Sequence, residues 1–431
     1  MSEFPKFHLL ATELQDQIIE ECASADILRL AQTSHGMCDI ALPLLYRHVD
    51  ISCHNERGLF QSIFGSSYGK VLADNPYREM AGKKELGRRQ STFCNAIIKK
   101  PSLGSWVLSL TWTCNWSCWE GVTDLEELNQ KVWNAWMLLV RVQKLDLCSL
   151  AADIHVLEFS ILLKMIPPSI FPMATTIKIG CNMPYSYFRA CLSSPETVIS
   201  LELNNLLGVR QFKDGWSLFR SGRKSDIKEE EFRCHPTRSQ ETVDENGIPV
   251  LRHDGPMRGH LQPFLGRFTK LAHLTIRTIG HEDHQDHRWS EVREKARYTE
   301  IATFIKSVAP TLTTLVFEQG MEVEGVTGRS SRAQSIKQTG RPMDTYFLSH
   351  ILPALTEEQW PKLEKLSIRG VGGEIRDSTR VYGRVNWTPE TSGISESAED
   401  QLRLALGNSV RFSWEKMARK SFHMMVVFYG R

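Results

Sequence analysis

The sequence predicts an α/β chain: a small three-helix unit at the N-terminus, then an irregular solenoid of strands and helices on a parallel sheet. Three observations point there. Beyond residue 100 a short pattern, apolar-x-x-apolar-x-apolar, recurs along the chain. Helical stretches such as "VTDLEELNQKVWNAWMLL" and "TEIATFIKSVAPTL" lie between the recurrences. The N-terminal segment carries three helix signatures in close succession, with more large apolar residues than a unit of about 40 residues can bury alone.

The first helix is predicted to start at Thr12, which with Gln15 has the spacing of a capping box. Leu14, Ile18, Ile19 and Cys22 then share a face at helical spacing. Ser24 is expected to cap a second helix, with Asp26 in its first turn and Ile27, Leu30 and Ala31 following. Ser34 is expected to cap a third, in which Met37, Ile40, Ala41, Leu44 and Leu45 form a stripe. Pro43 lies inside that stripe and is expected to kink or end the helix.

These residues resemble a known family. Leu10-Ala11-Thr12-Glu13-Leu14, Ile18, Asp26-Ile27-Leu28, Leu30, Ser34, Ile40 and Ala41 are similar to the F-box. The continuation Pro43 to Ile51 looks like the version common in filamentous-fungal F-box proteins. Ala11 stands where the family usually has Pro, and His35 where Lys or Arg is common. The resemblance implies a non-catalytic, substrate-recognition subunit of an SCF-type cullin-RING ubiquitin ligase. Its helices would pack on the small linker protein, and through it on the cullin. The surface expected to make that contact is Leu10, Leu14, Ile18, Leu28 and Leu45.

The recurrences are "VLSLTW" from Val107, "VQKLDL" from Val142, "ATTIKI" from Ala174, "VISLEL" from Val198, "LAHLTI" from Leu271, "LTTLVF" from Leu312 and "LEKLSI" from Leu363. Their last two apolar residues alternate with a polar one, as in a short strand with one buried face. Strand, turn and helix in repetition resemble the leucine-rich repeat, and "LDLCSL" and "LELNNL" match its core. The domain organisation predicted is therefore an F-box at 7–51, a helical and loop link at 52–100, and a leucine-rich-repeat-like domain at 101–431. Loops are expected at about 221–260, 320–345 and 372–400. The stretch from Ser221 to Gly247 is dense in charge, poor in apolar pattern, and expected to be disordered. The interval from Leu201 to Leu274 is about twice a repeat, leaving room for a degenerate repeat beside that loop.

With 52 Lys and Arg against 50 Asp and Glu, the net charge of +2 offers no polyanion-sized field, so no nucleic-acid partner is expected. No apolar run approaches a transmembrane helix and no signal peptide is visible, so no membrane partner is expected either. The ten cysteines contain no C-x-x-C pair and read as reduced, mostly buried thiols of a cytoplasmic or nuclear protein. "GSSYG" at Gly65–Gly69 fits G-x-S-x-G, but no partner for Ser67 is identifiable. His281, His284 and His287 among acidic residues, and the basic pairs Lys83-Lys84 and Arg88-Arg89, read as solvated loops. No cofactor, metal site or catalytic residue is expected.

A protein substrate, of identity the residues do not specify, is expected on the outward strand positions Thr111, Asp146, Lys178, Glu202, Thr275, Val316 and Ser367. Trp116 and Trp119 would flank that surface, while most of the tryptophans between residues 106 and 136 belong to the core. The alternatives are an interaction protein that uses the linker outside ubiquitin ligation, and an enzyme whose site carries no recognisable motif.

Overall fold

In the computed structural model the described residues are 10–52, 54, 80–114, 125–149, 169–181, 185–204, 242–243, 249–250, 260–278, 282–283, 288–289, 291–319, 322–323, 342–373, 375–376, 394–416 and 419–422. The chain enters through three helices, α1 (Thr12–Glu20), α2 (Ser24–Ala31) and α3 (His35–Arg47). Ser34 caps α3 as its position predicts, its Oγ accepting from the Met37 N–H at 3.2 Å. α1 and α2 begin at Thr12 and Ser24, but Ala11 and Ala23 hold the N-cap positions, and neither makes a side-chain cap. The Gln15 amide instead donates to the Leu10 carbonyl at 2.6 Å. Pro43 does not end α3, which runs on to Arg47. Packing of Ile40, Ala41, Leu44 and Leu45 outweighs one lost backbone hydrogen bond. Ile19, Ile27 and Ala41 form the bundle's own small core, and an Arg47–Glu20 ion pair ties α3 back to α1.

α3 leads without a turn into β1 (His48–Ile51), the first strand of a nine-stranded, all-parallel sheet. The others are β2 (Ser109–Cys114), β3 (Lys144–Ser149), β4 (Thr176–Cys181), β5 (Ser200–Asn204), β6 (His273–Thr278), β7 (Thr314–Gln319), β8 (Lys365–Arg369) and β9 (Arg411–Glu415). Each lies beside the strand before it in the chain. All seven recurrences form strands, and their register is unbroken. Val49, Leu110, Leu145, Ile177, Leu201, Leu274, Leu315, Leu366 and Phe412 stand in one row. β5 pairs directly with β6, so the long interval between them adds no strand to this sheet and no degenerate repeat to the stack.

Helices cover one face of the sheet and share a continuous core with it. They are α4 (Met80–Lys99), α5 (Leu125–Met137), α6 (Tyr185–Cys191), α7 (Glu291–Val308), α8 (Pro342–Tyr346), α9 (Leu352–Thr356) and α10 (Ile394–Leu406), with a π turn, Phe347–Ile351, joining α8 to α9. The row of inward strand residues meets a row of buried aromatics: Trp133 and Trp136 from α5, Phe188 from α6, Tyr298 and Phe304 from α7, and Phe347. α4, the described part of the 52–100 link, contributes Leu86, Phe93, Cys94 and Ile97 to this core. Parts of the expected loops at 320–345 and 372–400 are helical, as α8 and the start of α10. Of the Ser221–Gly247 stretch, only the short strand Thr242–Val243, antiparallel to Pro249–Val250, is among the described residues.

One glycine has a task. Gly104 lies in the 3-10 turn Pro101–Trp106, where an added Cβ would stand 2.5 Å from the Leu138 carbonyl oxygen. That neighbour is backbone and cannot swing away. Gly104→Ala should therefore cost about 1–3 kcal/mol, read from urea unfolding. An unchanged midpoint would mean that the turn relaxes freely.

Candidate functional site

Two surfaces emerge from this architecture. The first is on the bundle. Because Ile19 and Ile27 take the inward positions of α1 and α2, the residues beside them face out. Leu14, Ile18 and Leu28 are 49%, 47% and 51% exposed. Leu10 and Leu45 are half-buried, Leu45 by packing on the bundle core. Of the five residues expected on this surface, three are presented openly and Leu45 serves largely as support. Neighbouring carboxylates Glu13, Glu20 and Glu21 are exposed as well, Glu20 in its pair with Arg47.

The second surface is the strand face turned away from the helices. Thr111, Asp146, Lys178, Glu202, Thr275, Val316 and Ser367 stand in one row across it, as their shared register requires. The charges in that row are answered within the protein. Lys178 Nζ lies 3.2 Å from Asp146 Oδ2. Glu202 pairs with Arg277, whose Nε also bonds Glu318 at 3.1 Å and whose Nη1 donates to Asn204 at 2.5 Å. Ser367 is buried. Asn204, Arg277 and Glu318 lie two residues beyond the row, where strand alternation returns a side chain to the same face. Extending the alternation by one step would have found them.

His54 had no such signal. Just past β1, its ring lies over β2 and β3, Nδ1 2.7 Å from Thr113 Oγ1 and Nε2 3.0 Å from Asp146 Oδ1. Its side chain is only 1% exposed. Burial alone would push the imidazole down. The Cys148 sulfur and the Asp146 carboxylate outweigh burial and the opposing Lys178 ammonium, so its pKa is raised. A raised folded value means that this contact stabilises fully below the ordinary histidine range and is lost as pH rises through the folded value. The stability gap between wild type and His54→Gln should therefore be largest below about pH 6.5 and shrink at higher pH. Urea melts across that range would show it, and a gap that widened with pH would reverse the assignment.

Cys22, Cys38, Cys94, Cys114, Cys148 and Cys191 are free thiols. Burial pushes Cys94 up to about 12 and raises Cys114 and Cys191 as well, so these three are poor nucleophiles. Trp112, Trp133 and Trp136 are core, and Trp106 packs against it. Trp116, Trp119, Ser67 with its glycines, and His281, His284 and His287 lie outside the described residues. Among the described residues no group of His, Cys, Asp and Glu is placed to hold a metal ion. No described helix is long and apolar enough to cross a membrane. No protein-family model matches the chain, and no curated protein is significantly similar to it.

Proposed function

We propose that the chain is the substrate-recognition subunit of an SCF-type cullin-RING ubiquitin ligase. An F-box at its N-terminus would hold the linker protein, and a leucine-rich-repeat-like domain would hold a protein substrate. The observation that carries this reading is the outward trio Leu14, Ile18 and Leu28 on a bundle whose own buried core is only Ile19, Ile27 and Ala41. Apolar side chains of that size, left open on successive helices, suit burial by a partner. The order of parts supports the same reading, with the bundle first and a stack of parallel strands behind it.

The mechanism is positioning. The chain would raise the effective concentration of its substrate beside the ligase, with the bond-making chemistry supplied by other subunits. The bundle runs directly into β1, so linker and substrate would be held by one continuous body. The test is affinity purification from the native cell with the proteasome inhibited, followed by mass spectrometry. Recovery of linker and cullin together is expected. Linker without cullin would favour an interaction protein outside ubiquitin ligation, and recovery of neither would overturn the reading.

A further inference from the structure

The strand face neutralises its own charges, so a partner's charge finds little there. Cations that no ion pair among the described residues answers lie along the edge where β2 to β6 begin. Gln143 donates its N–H to Leu108, Thr175 to Gln143, Ile199 to Thr175 and Ala272 to Ile199, each at 2.8–2.9 Å. These bonds align the turns leading into β2 through β6 side by side. Val140, Met173 and Ile199 lie on these turns, and Ile98 and Met137 in the last turns of the α4 and α5 helices before them; each is 40–57% exposed. With the bundle trio and Leu404, they make up the large apolar side chains exposed among the described residues. Lys99, Lys100, Arg141, Lys144, Arg267 and Lys270 are interleaved with them, all exposed. None forms an ion pair with a described residue; Lys100 lies over the Trp106 ring and Arg267 over Phe264, each 6.0 Å from the centroid. Glu196 is the one carboxylate in residues 98–109, 137–144, 169–176, 192–200 and 265–273. Six of the chain's 52 Lys and Arg thus stand along this apolar edge with one carboxylate among them.

We propose that this edge, from β2 to β6, docks an acidic amphipathic helix of a protein partner. Adjacent strands are about 4.8 Å apart and helix turns about 5.4 Å. A helix laid across the strand starts can therefore run its apolar face along the row from Ile98 to Ile199. Five strands span about 19 Å, the length of roughly 13 helical residues. The cations on either side meet its carboxylates. The open residues of the row are aliphatic rather than aromatic, which suits a helix face better than stacked nucleotide bases. This deepens the function proposed above, on which the helix belongs to the substrate.

The probe is a fluorescein-labelled peptide of about 16 residues, with leucines one turn apart and glutamates between them. A control peptide has the same composition with the leucines dispersed. Fluorescence anisotropy with the full chain should show the amphipathic peptide binding at least about tenfold more tightly. Val140→Glu with Ile199→Glu should remove roughly tenfold of that affinity at an unchanged melting temperature. About 0.5 M salt should weaken it further. Equal binding of both peptides, or no effect of the double variant, would overturn the proposal. So would tighter retention on anionic phospholipid vesicles or single-stranded DNA than on the peptide. The same variant should still capture the linker protein, so failure at the edge and failure of the ligase reading give different results.

Discussion

A chain carrying Leu14→Asp and Ile18→Asp should fold like wild type and fail to capture the linker protein. Both side chains are about half exposed, and neither belongs to the bundle core of Ile19, Ile27 and Ala41. Exposed substitutions of this kind change stability by about 0.5 kcal/mol or less. Placed at the centre of an interface, each carboxylate would instead be desolvated against apolar surface. Losing two central anchors costs on the order of 2 kcal/mol or more apiece, without strict additivity, enough to take a nanomolar complex out of a pull-down. Circular dichroism and co-purification on the same preparation separate the two effects. Full retention of the linker by a folded double mutant would place its binding elsewhere.

Trp136→Ala should be the most damaging single change in the sheet domain, at about 3–5 kcal/mol. Trp136 is fully buried in α5. Its ring meets Trp112 of β2 edge-on at 5.6 Å, Trp133 at 5.7 Å, and Phe171, in the turn before β4, at 5.5 Å. It therefore joins three successive units. In a stack stabilised by nearest-neighbour contacts, the loss should stay local. Amide exchange should accelerate across β2–β4 and remain near wild type in β7–β9. Uniform acceleration would show instead that the whole stack unfolds as one unit.

The parallel sheet was legible because its signal is local: a leucine or isoleucine in the fourth position of each recurrence is a buried strand residue. β1 carries the same pattern in Tyr46, Val49 and Ile51, concealed by its fusion to the end of α3. β9 lacks it because Ser409 stands where the first apolar residue would be, although Phe412 and Trp414 alternate as a strand should. The first two helices begin at Thr12 and Ser24, but alanines hold the N-cap positions, and α3 runs on past Pro43. On the surfaces, Leu14 and Ile18 could be anticipated from helical spacing, and Leu28 from the likeness of Asp26-Ile27-Leu28 to the F-box. The pairing of Asp146 with Lys178 follows from register alone. His54 meets Asp146 across 92 residues of chain, and no short-range pattern encodes that contact. The basic edge is likewise assembled from turns spread over more than 150 residues, each unremarkable alone.

The strand order also governs how the protein is made. Every strand of the sheet pairs with the one synthesised just before it, so the sheet can grow at one end as the ribosome delivers new chain. The growing end is an open edge until the next strand arrives. The longest interval falls between Asn204 and His273, where 68 residues must be translated first. At about 5–20 residues per second that takes roughly 3–14 s. For those seconds β5 is a nascent edge able to recruit a strand from another chain. Glu202, in register beside Lys178 and not yet joined by Arg277, would then put a charged side chain in the middle of that open strand, the kind of residue that discourages pairing with another chain.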